Sequence, residues 1–244
     1  MKQAARDRLI FALDVDEFAE AERWVKLLHE QVGFFKIGKQ LFTRCGPEVV
    51  HMVRGEGGEV FLDLKYHDIP NTVAMAGVEA ARLGARMFNV HALGGREMMA
   101  RTVAEIDARH PRGSEERPRL LAVTILTSST DQTLREIGIE RPVTEMVPRL
   151  AELARQAGMD GVVASPREVP LIREACGPDF LIVTPGVRPT FAALDDQKRV
   201  TTPADAIAAS ADYLVIGRPI AAAVDPVAAA EQILEEMGAA LDRD

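Results

Sequence analysis

An alternation that repeats eight times constrains the fold more than any other feature of this sequence. A short apolar run rich in β-branched residues is followed by a turn and then by a stretch with apolar residues at three- and four-residue spacing, which is typical of a helix. The pattern predicts strands that alternate with helices. The apolar runs lie at 9–15, 34–38, 59–66, 87–92, 120–127, 161–165, 180–187 and 213–220.

Eight such units in 244 residues predict an α/β protein built as a single (β/α)8 TIM barrel. No linker rich in Pro, Gly or Ser divides the chain, so we expect one domain over 1–244. A doubly wound open sheet is the alternative, although it usually has fewer strands at this length. The glycine-rich turn that follows the first strand of dinucleotide-binding sheets is absent, because 13–18 reads LDVDEF.

Charge and hydropathy argue against two classes of partner. A net charge of −8 disfavours a nucleic-acid surface, which needs a basic footprint, but it does not forbid a small anionic ligand. The longest apolar runs, such as 120–126, are too short to span a bilayer. Acidic residues directly follow the first apolar run, and no small-residue cleavage site is visible there. We therefore expect no signal peptide, no membrane partner and a cytoplasmic location.

The third predicted strand carries charges near its end, where a barrel of this kind places its active site. Side chains alternate between the two faces of a strand, so Asp63 and Lys65 share the face of Phe61. Both are expected to point into the barrel mouth. Asp68 follows in the loop after the strand.

Neighbouring strands add to this group. Lys36 is the polar member of the second apolar run, Asp14 lies near the end of the first, and Asn89 and His91 share one face of the fourth. Buried charges are costly unless they pair, so an ion-pair network that closes the barrel top is one interpretation. A cluster of charges on three consecutive strand ends is more readily explained by catalysis, and we interpret it as a candidate active site.

The loop after the third strand, 67–72, places Pro70 at or near the first turn of the next helix. Asn71 and Thr72 are expected to cap that helix, which explains them more simply than ligand contact does.

The connection after the fifth strand, 127–143, is long and polar, which is typical of a lid over an active site. Thr127, at the strand end, is the favoured ligand contact. Residues 128–130 are equally well explained as turn residues.

Two Gly/Arg turns, at 184–189 and 216–220, follow the seventh and eighth strands. Barrels of this kind often bind phosphate between the loops after those strands. Glycine allows close backbone approach, and a guanidinium binds phosphate in a bidentate manner. The turns therefore predict a phosphate site, with ordinary turns as the alternative. The residues concerned are Gly186, Arg188, Gly217 and Arg218.

Together, these motifs resemble the orotidine 5′-phosphate decarboxylase family. In chain order, the resemblance is carried by FALDVD, FKIG, FLDLKYHDIPNTV, NVHALGG, AVTILTS, VTPGVRP, DDQKRV and VIGRPI. It covers essentially the whole chain. The D-x-K-x-x-D element alone is shared with relatives that act on sugar phosphates. The extended DLKYHDIPNT form with the DQ and GR elements is far more specific.

The resemblance implies residue roles and an obligate homodimer in which Asp68 reaches the neighbouring subunit's site. It implies that the catalytic array is Lys36, Asp63, Lys65 and Asp68. The ribose contacts it implies are Asp14, Lys36 and the segment that includes Asp68, Ile69, Asn71 and Thr72. The base contact that it implies is Thr127, and the phosphate contacts that it implies are Gln197, Gly217, Arg218 and then Arg188.

The implied reaction explains the charged array. Loss of CO2 from C6 of the pyrimidine leaves a lone pair in the ring plane, which the π system cannot delocalise. A fixed ammonium can stabilise this charge and then donate the proton, and Lys65, held by Asp63, is the candidate. No metal or organic cofactor is expected. Two alternatives remain at this point: a metal-dependent sugar-phosphate decarboxylase or aldolase of the same barrel superfamily, and a nucleotide-binding barrel without turnover.

Overall fold

The computed structural model describes residues 2–192 and 201–242. Within them, eight parallel strands close into a barrel in chain order, because β1 pairs with β8. The predicted barrel is confirmed, and the alternative prediction of a doubly wound open sheet is wrong. The strands are β1 Leu9–Leu13, β2 Phe34–Gly38, β3 Glu59–Tyr66, β4 Met87–His91, β5 Arg119–Val123, β6 Gly161–Val163, β7 Leu181–Pro185 and β8 Tyr213–Ile216.

The described residues form twelve α-helices, more than the eight predicted, because one precedes β1, two connections contain two each, and two follow β8. No helix among them is long and apolar enough to cross a membrane. The helices are α1 Lys2–Arg8, α2 Phe18–Leu28, α3 Lys39–Cys45, α4 Glu48–Gly55, α5 Pro70–Arg82, α6 Gly95–Asp107, α7 Asp131–Glu136, α8 Val143–Gln156, α9 Val169–Cys176, α10 Pro203–Ala208, α11 Arg218–Ala221 and α12 Pro226–Leu241. A single domain over 1–244 stays a prediction, since that range extends beyond the described residues.

The alternation of side chains along the strands divides the apolar interior into two cores. The larger core contains the outward residues of the strands, such as Phe11, Phe35 and Leu62, together with apolar residues of the helices. The smaller core fills the barrel itself. Its buried members are Ile10, Ala12, Phe34, Phe61, Met87, Leu121, Val183, Tyr213 and Val215. Beyond this apolar plug, the inward-facing positions continue to the C-terminal ends of the strands, at the mouth of the barrel.

The pairing of β3 with β4 is irregular near that end. The register runs from Leu62 opposite Phe88 to Tyr66 opposite Val90, so β3 uses two more residues than β4 over this stretch. Lys65, within the stretch, has φ of +52°, a left-handed conformation that few side chains adopt. Such a backbone costs roughly 1–3 kcal/mol and persists only where its surroundings hold it.

Candidate active site

Four charged side chains meet at the C-terminal ends of β1, β2 and β3. The Lys65 ammonium donates to Asp63 Oδ1 at 2.6 Å. The Lys36 ammonium lies 3.6 Å from Asp63 Oδ2 and donates to Asp14 Oδ1 at 3.1 Å. The structure therefore brings these predicted residues together as one row of alternating charge, which we call the array: Asp14, Lys36, Asp63 and Lys65.

Exposure increases outward along the array. The side chains of Lys36 and Asp63 are each 12% exposed, that of Lys65 is 24% exposed, and that of Asp14 is 65% exposed. Asp63 is therefore a largely buried anion shared by two lysines, whereas Asp14 keeps much of its hydration. The attraction between two opposite charges is strongest where water is excluded, so the ion pairs of Asp63 with the lysines are stronger than the pair of Asp14 with Lys36.

A buried amide supports the array from β4. Asn89 has no exposed surface, and its Nδ2 donates to Asp63 Oδ1 at 2.7 Å. Its Oδ1 accepts the backbone N–H of Lys65 at 2.8 Å. Sequence reasoning placed Asn89 on this face but gave it no role. The irregular backbone at Lys65 also interrupts the simple alternation that we expected, although its ammonium still reaches Asp63.

Two histidines border the array. The rings of His67 and His91 lie 5.5 Å apart, and His91 Nδ1 is buried with no partner in the described part of the chain. The pKa of His91 is lowered to about 4, first by burial and then by nearby His67, Lys39 and Lys65, while Asp63 acts in the opposite direction. His91 is therefore neutral at pH 7.

The array separates two adjoining cavities, both lined by Lys36, Asp63 and Lys65. One, of about 370 Å³, is more polar and also contacts Asp14, Lys39 and Gln40. The other, of about 260 Å³, is mainly apolar and extends over the barrel plug. Its further lining residues are Phe61, Val123, Ile125, Leu126, Thr127, Val163, Ala164, Pro185 and Val215. Sequence reasoning missed most of these, although the alternation of β5 to β8 marks Val123, Val163, Pro185 and Val215 as inward.

Thr127 lines the apolar cavity from the connection after β5. It is exposed, and a turn follows in which the Ser129 N–H donates to Leu126 O. Thr130 then caps α7 by accepting from the Thr133 N–H. Thr127 is thus the cavity-lining residue of this segment, whereas Ser129 belongs to a turn and Thr130 is a helix cap. That this connection acts as a lid stays a prediction.

The loop after β3 corrects one expectation. Helix α5 begins at Pro70, its N-cap is Ile69, and no side chain caps it. Asn71 and Thr72 therefore lie inside the first turn, exposed, and their expected capping role is wrong. Because Pro70 takes the first helical position, the cap moves to the residue before it.

Asp68, also exposed, does not join the array of its own chain. Its Oδ1 accepts the Ile69 N–H at 2.6 Å. Across residues 2–192 and 201–242 it forms no ion pair.

The Gly/Arg turns follow β7 and β8, and β8 lies beside β1 in the closed barrel. Within the described residues, neither the Arg188 nor the Arg218 guanidinium has a hydrogen-bond or ion-pair partner. Gly217 is packed against β1, since a Cβ there would lie 3.0 Å from Ala12 Cβ and 3.7 Å from Asp14 Oδ2. This turn therefore adjoins the array. Gln197 lies outside the described residues.

Comparison with known proteins identifies the family. A family model described as "Orotidine 5′-phosphate decarboxylase / HUMPS family" matches residues 7–233. The chain belongs to this family. The resemblance seen in the sequence is confirmed.

Similar proteins cover nearly the whole chain. A protein of Geobacter sulfurreducens named orotidine 5′-phosphate decarboxylase is 68% identical over 236 residues, 97% of this chain and 98% of the relative. One of Syntrophotalea carbinolica with the same name is 66% identical over 238 residues, 98% of each chain. The solved structure of orotidine 5′-phosphate decarboxylase from Lactobacillus acidophilus aligns with TM-score 0.81 and 41% identity, covering 94% of this chain and 98% of that one.

Proposed function

We propose that this chain decarboxylates orotidine 5′-monophosphate to uridine 5′-monophosphate in pyrimidine biosynthesis. The observation that carries the proposal is the Lys65 ammonium, 2.6 Å from Asp63 and facing an apolar cavity that also contains Thr127. The similar proteins named for this activity support it.

In the proposed mechanism, the pyrimidine occupies the apolar cavity, with Thr127 as its polar contact. Loss of CO2 leaves an electron pair on C6, in the ring plane and unavailable to the π system. The Lys65 ammonium stabilises this charge and transfers a proton to C6, so the C6–carboxylate bond is replaced by a C–H bond. Asp63 holds the ammonium in place before substrate arrives.

Ribose and phosphate bind outside the reacting centre in this proposal. Asp14 and Lys36 line the more polar cavity, where the ribose hydroxyls would contact them. Asp68, Ile69, Asn71 and Thr72 of the neighbouring subunit would complete that side. The phosphate would bind the Gly217 amide and the guanidiniums of Arg188 and Arg218, which have no partner among the described residues, with Gln197 also assigned by the family resemblance. Energy gained at the phosphate can favour closure of the 127–143 connection over the base.

We also propose a homodimer in which Asp68, Ile69 and the start of α5 complete the neighbouring subunit's site. Asp68 and Ile69 are exposed, and Ile69 retains 67% of its surface, an apolar area that a partner subunit would bury in the proposed dimer. Without a pairing partner in its own array, Asp68 is free to serve another chain.

Mixing two inactive variants tests the shared site. Asp68→Asn and Lys65→Ala homodimers should each be inactive. A hybrid dimer would have one site with both defects and one intact site, so random mixing should restore about a quarter of wild-type activity. No recovery, in mixtures shown to contain hybrids, would place Asp68 in its own subunit's site.

A spectrophotometric assay with orotidine 5′-monophosphate in the presence of a chelator tests the activity. We expect turnover to survive chelation. Loss of activity that a divalent ion restores would favour a metal-dependent sugar-phosphate enzyme. Binding of uridine 5′-monophosphate without turnover would favour a binding barrel. The cytoplasmic location expected from the sequence stays a prediction, which cell fractionation can test.

A further inference from the structure

We infer that Asn89 is a positioning residue of this site, whose amide holds both the Asp63 carboxylate and the Lys65 backbone in the arrangement that aims the Lys65 ammonium. The inference rests on the proposed function, in which that ammonium acts on the substrate. Asn89 itself lines neither cavity described above, so it acts through its two neighbours.

The chemistry of its partners determines how the Asn89 amide is oriented. A carboxylate only accepts and a backbone N–H only donates. Asn89 Nδ2 must therefore face Asp63 Oδ1, at 2.7 Å, and Asn89 Oδ1 must face the Lys65 N–H, at 2.8 Å. An ionised Asp at this position would lack the donor, and an Ala would lack both groups.

Asn89 and the Lys65 ammonium bind the same oxygen of Asp63. The ammonium approaches Oδ1 at 2.6 Å while the Asn89 amide approaches it at 2.7 Å. Two donors on one oxygen leave the carboxylate little freedom to rotate. Asn89 therefore limits where Asp63 can hold the ammonium.

The second contact acts on the backbone of the same lysine. Lys65 has φ of +52° in the stretch where the β3–β4 register shifts. Its N–H bonds to a side chain of β4, which supports a conformation that few non-glycine residues adopt. Removing the Asn89 amide would free both the backbone of Lys65 and its counter-ion Asp63. For this reason a buried side chain outside the cavities can affect the chemical step.

Steady-state kinetics of Asn89→Ala provide the first test. We expect kcat to fall on the order of 100-fold, the loss typical of a misplaced catalytic group, while KM stays within about threefold. Thr102→Val is the matched control, because Thr102 is equally buried, on α6, and donates to Met98 O at 2.9 Å outside the site. It should retain the wild-type kcat and KM.

The isosteric Asn89→Asp variant provides a readout that packing alone would not change. Two adjacent carboxylates do not ionise together readily, so toward lower pH the pair with Asp63 keeps one proton. The facing Lys36 and Lys65 ammoniums keep the other carboxylate ionised. The protonated Asp can donate to Asp63 as the amide does. Its kcat, expressed relative to wild type at each pH, should therefore rise as pH falls from about 8 to about 6, whereas the relative kcat of Asn89→Ala should stay constant.

Three results would contradict the inference. They are a kcat within about threefold of wild type in Asn89→Ala, a loss confined to KM, and a pH profile of Asn89→Asp parallel to wild type. If Asn89→Ala fails to fold, the Asn89→Asp profile decides alone. Absence of orotidine 5′-monophosphate turnover in the wild type would instead contradict the proposed function. Wild-type turnover with unaffected Asn89 variants would contradict only the role of Asn89.

Discussion

The two sides of the barrel mouth differ in how far their charges are already paired. At the ends of β1 to β3, every charge of the array has a partner, from Asp14 through to Lys65. After β7 and β8, the guanidiniums of Arg188 and Arg218 have none among the described residues. A group that acts in the transition state gains from being fixed beforehand, whereas a group that captures an anion gains from being unpaired. We therefore call the array the reacting side of the mouth, and the turns that carry Arg188 and Arg218 its anchoring side.

The largest expected effect is at the reacting side. Lys65→Ala should lower kcat by about 1,000-fold or more, because the charge-stabilising and proton-donating group is lost. Binding of uridine 5′-monophosphate, measured by calorimetry, should change far less. Lys26→Ala is the control, since Lys26 pairs with Glu22 on the exposed surface of α2 and should not affect turnover. Near-normal decarboxylation by Lys65→Ala would exclude Lys65 as the proton donor.

The next effect is at the anchoring side. Arg218→Ala should raise KM roughly 10- to 100-fold with a smaller change in kcat, because a charge-assisted contact of about 1.5–3 kcal/mol is lost. Since Arg218 has no partner in the described residues, urea unfolding should change little. Arg188→Ala should act in the same direction, and Arg218→Lys should recover part of the binding. An unchanged KM for Arg218→Ala would contradict the proposal that Arg218 binds the substrate phosphate.

The smallest effect concerns stability at the edge of the array. Burial holds the pKa of His91 near 4 in the folded chain, below the ordinary value of 6.5. The unfolded chain therefore binds a proton first as pH falls, so His91 should lower stability from about pH 6.5 down to about pH 4. Allowing for the partial exposure of His91, we expect a loss of about 1–2 kcal/mol.

Urea unfolding between pH 7.5 and 4.5 tests this expectation. The free energy of unfolding of His91→Gln should fall less steeply toward low pH than that of wild type. His51→Gln, at an exposed position on α4, should follow the wild type. Parallel curves for wild type and His91→Gln would contradict the proposed linkage.

Local rules predicted much of the site because side-chain alternation is a property of a single strand. Phe61 and Asp63 could be placed on one face from spacing alone. The expected caps at Asn71 and Thr72 were wrong because a nearby proline moved the start of α5. The contact between Asn89 and Lys65 could not be predicted, since it depends on the irregular register of two strands.

The sequence by itself determined the eight strands, their inward faces and the charged and glycine-rich residues at their ends, because periodicity and residue type are carried by each segment alone. Only the tertiary structure decided that β1 closes on β8, that Asp63 holds two lysines and Asn89, and that Asp68 stays outside its own array. These depend on register and closure between segments distant in sequence, where one shifted residue on β3 changes which side chains meet.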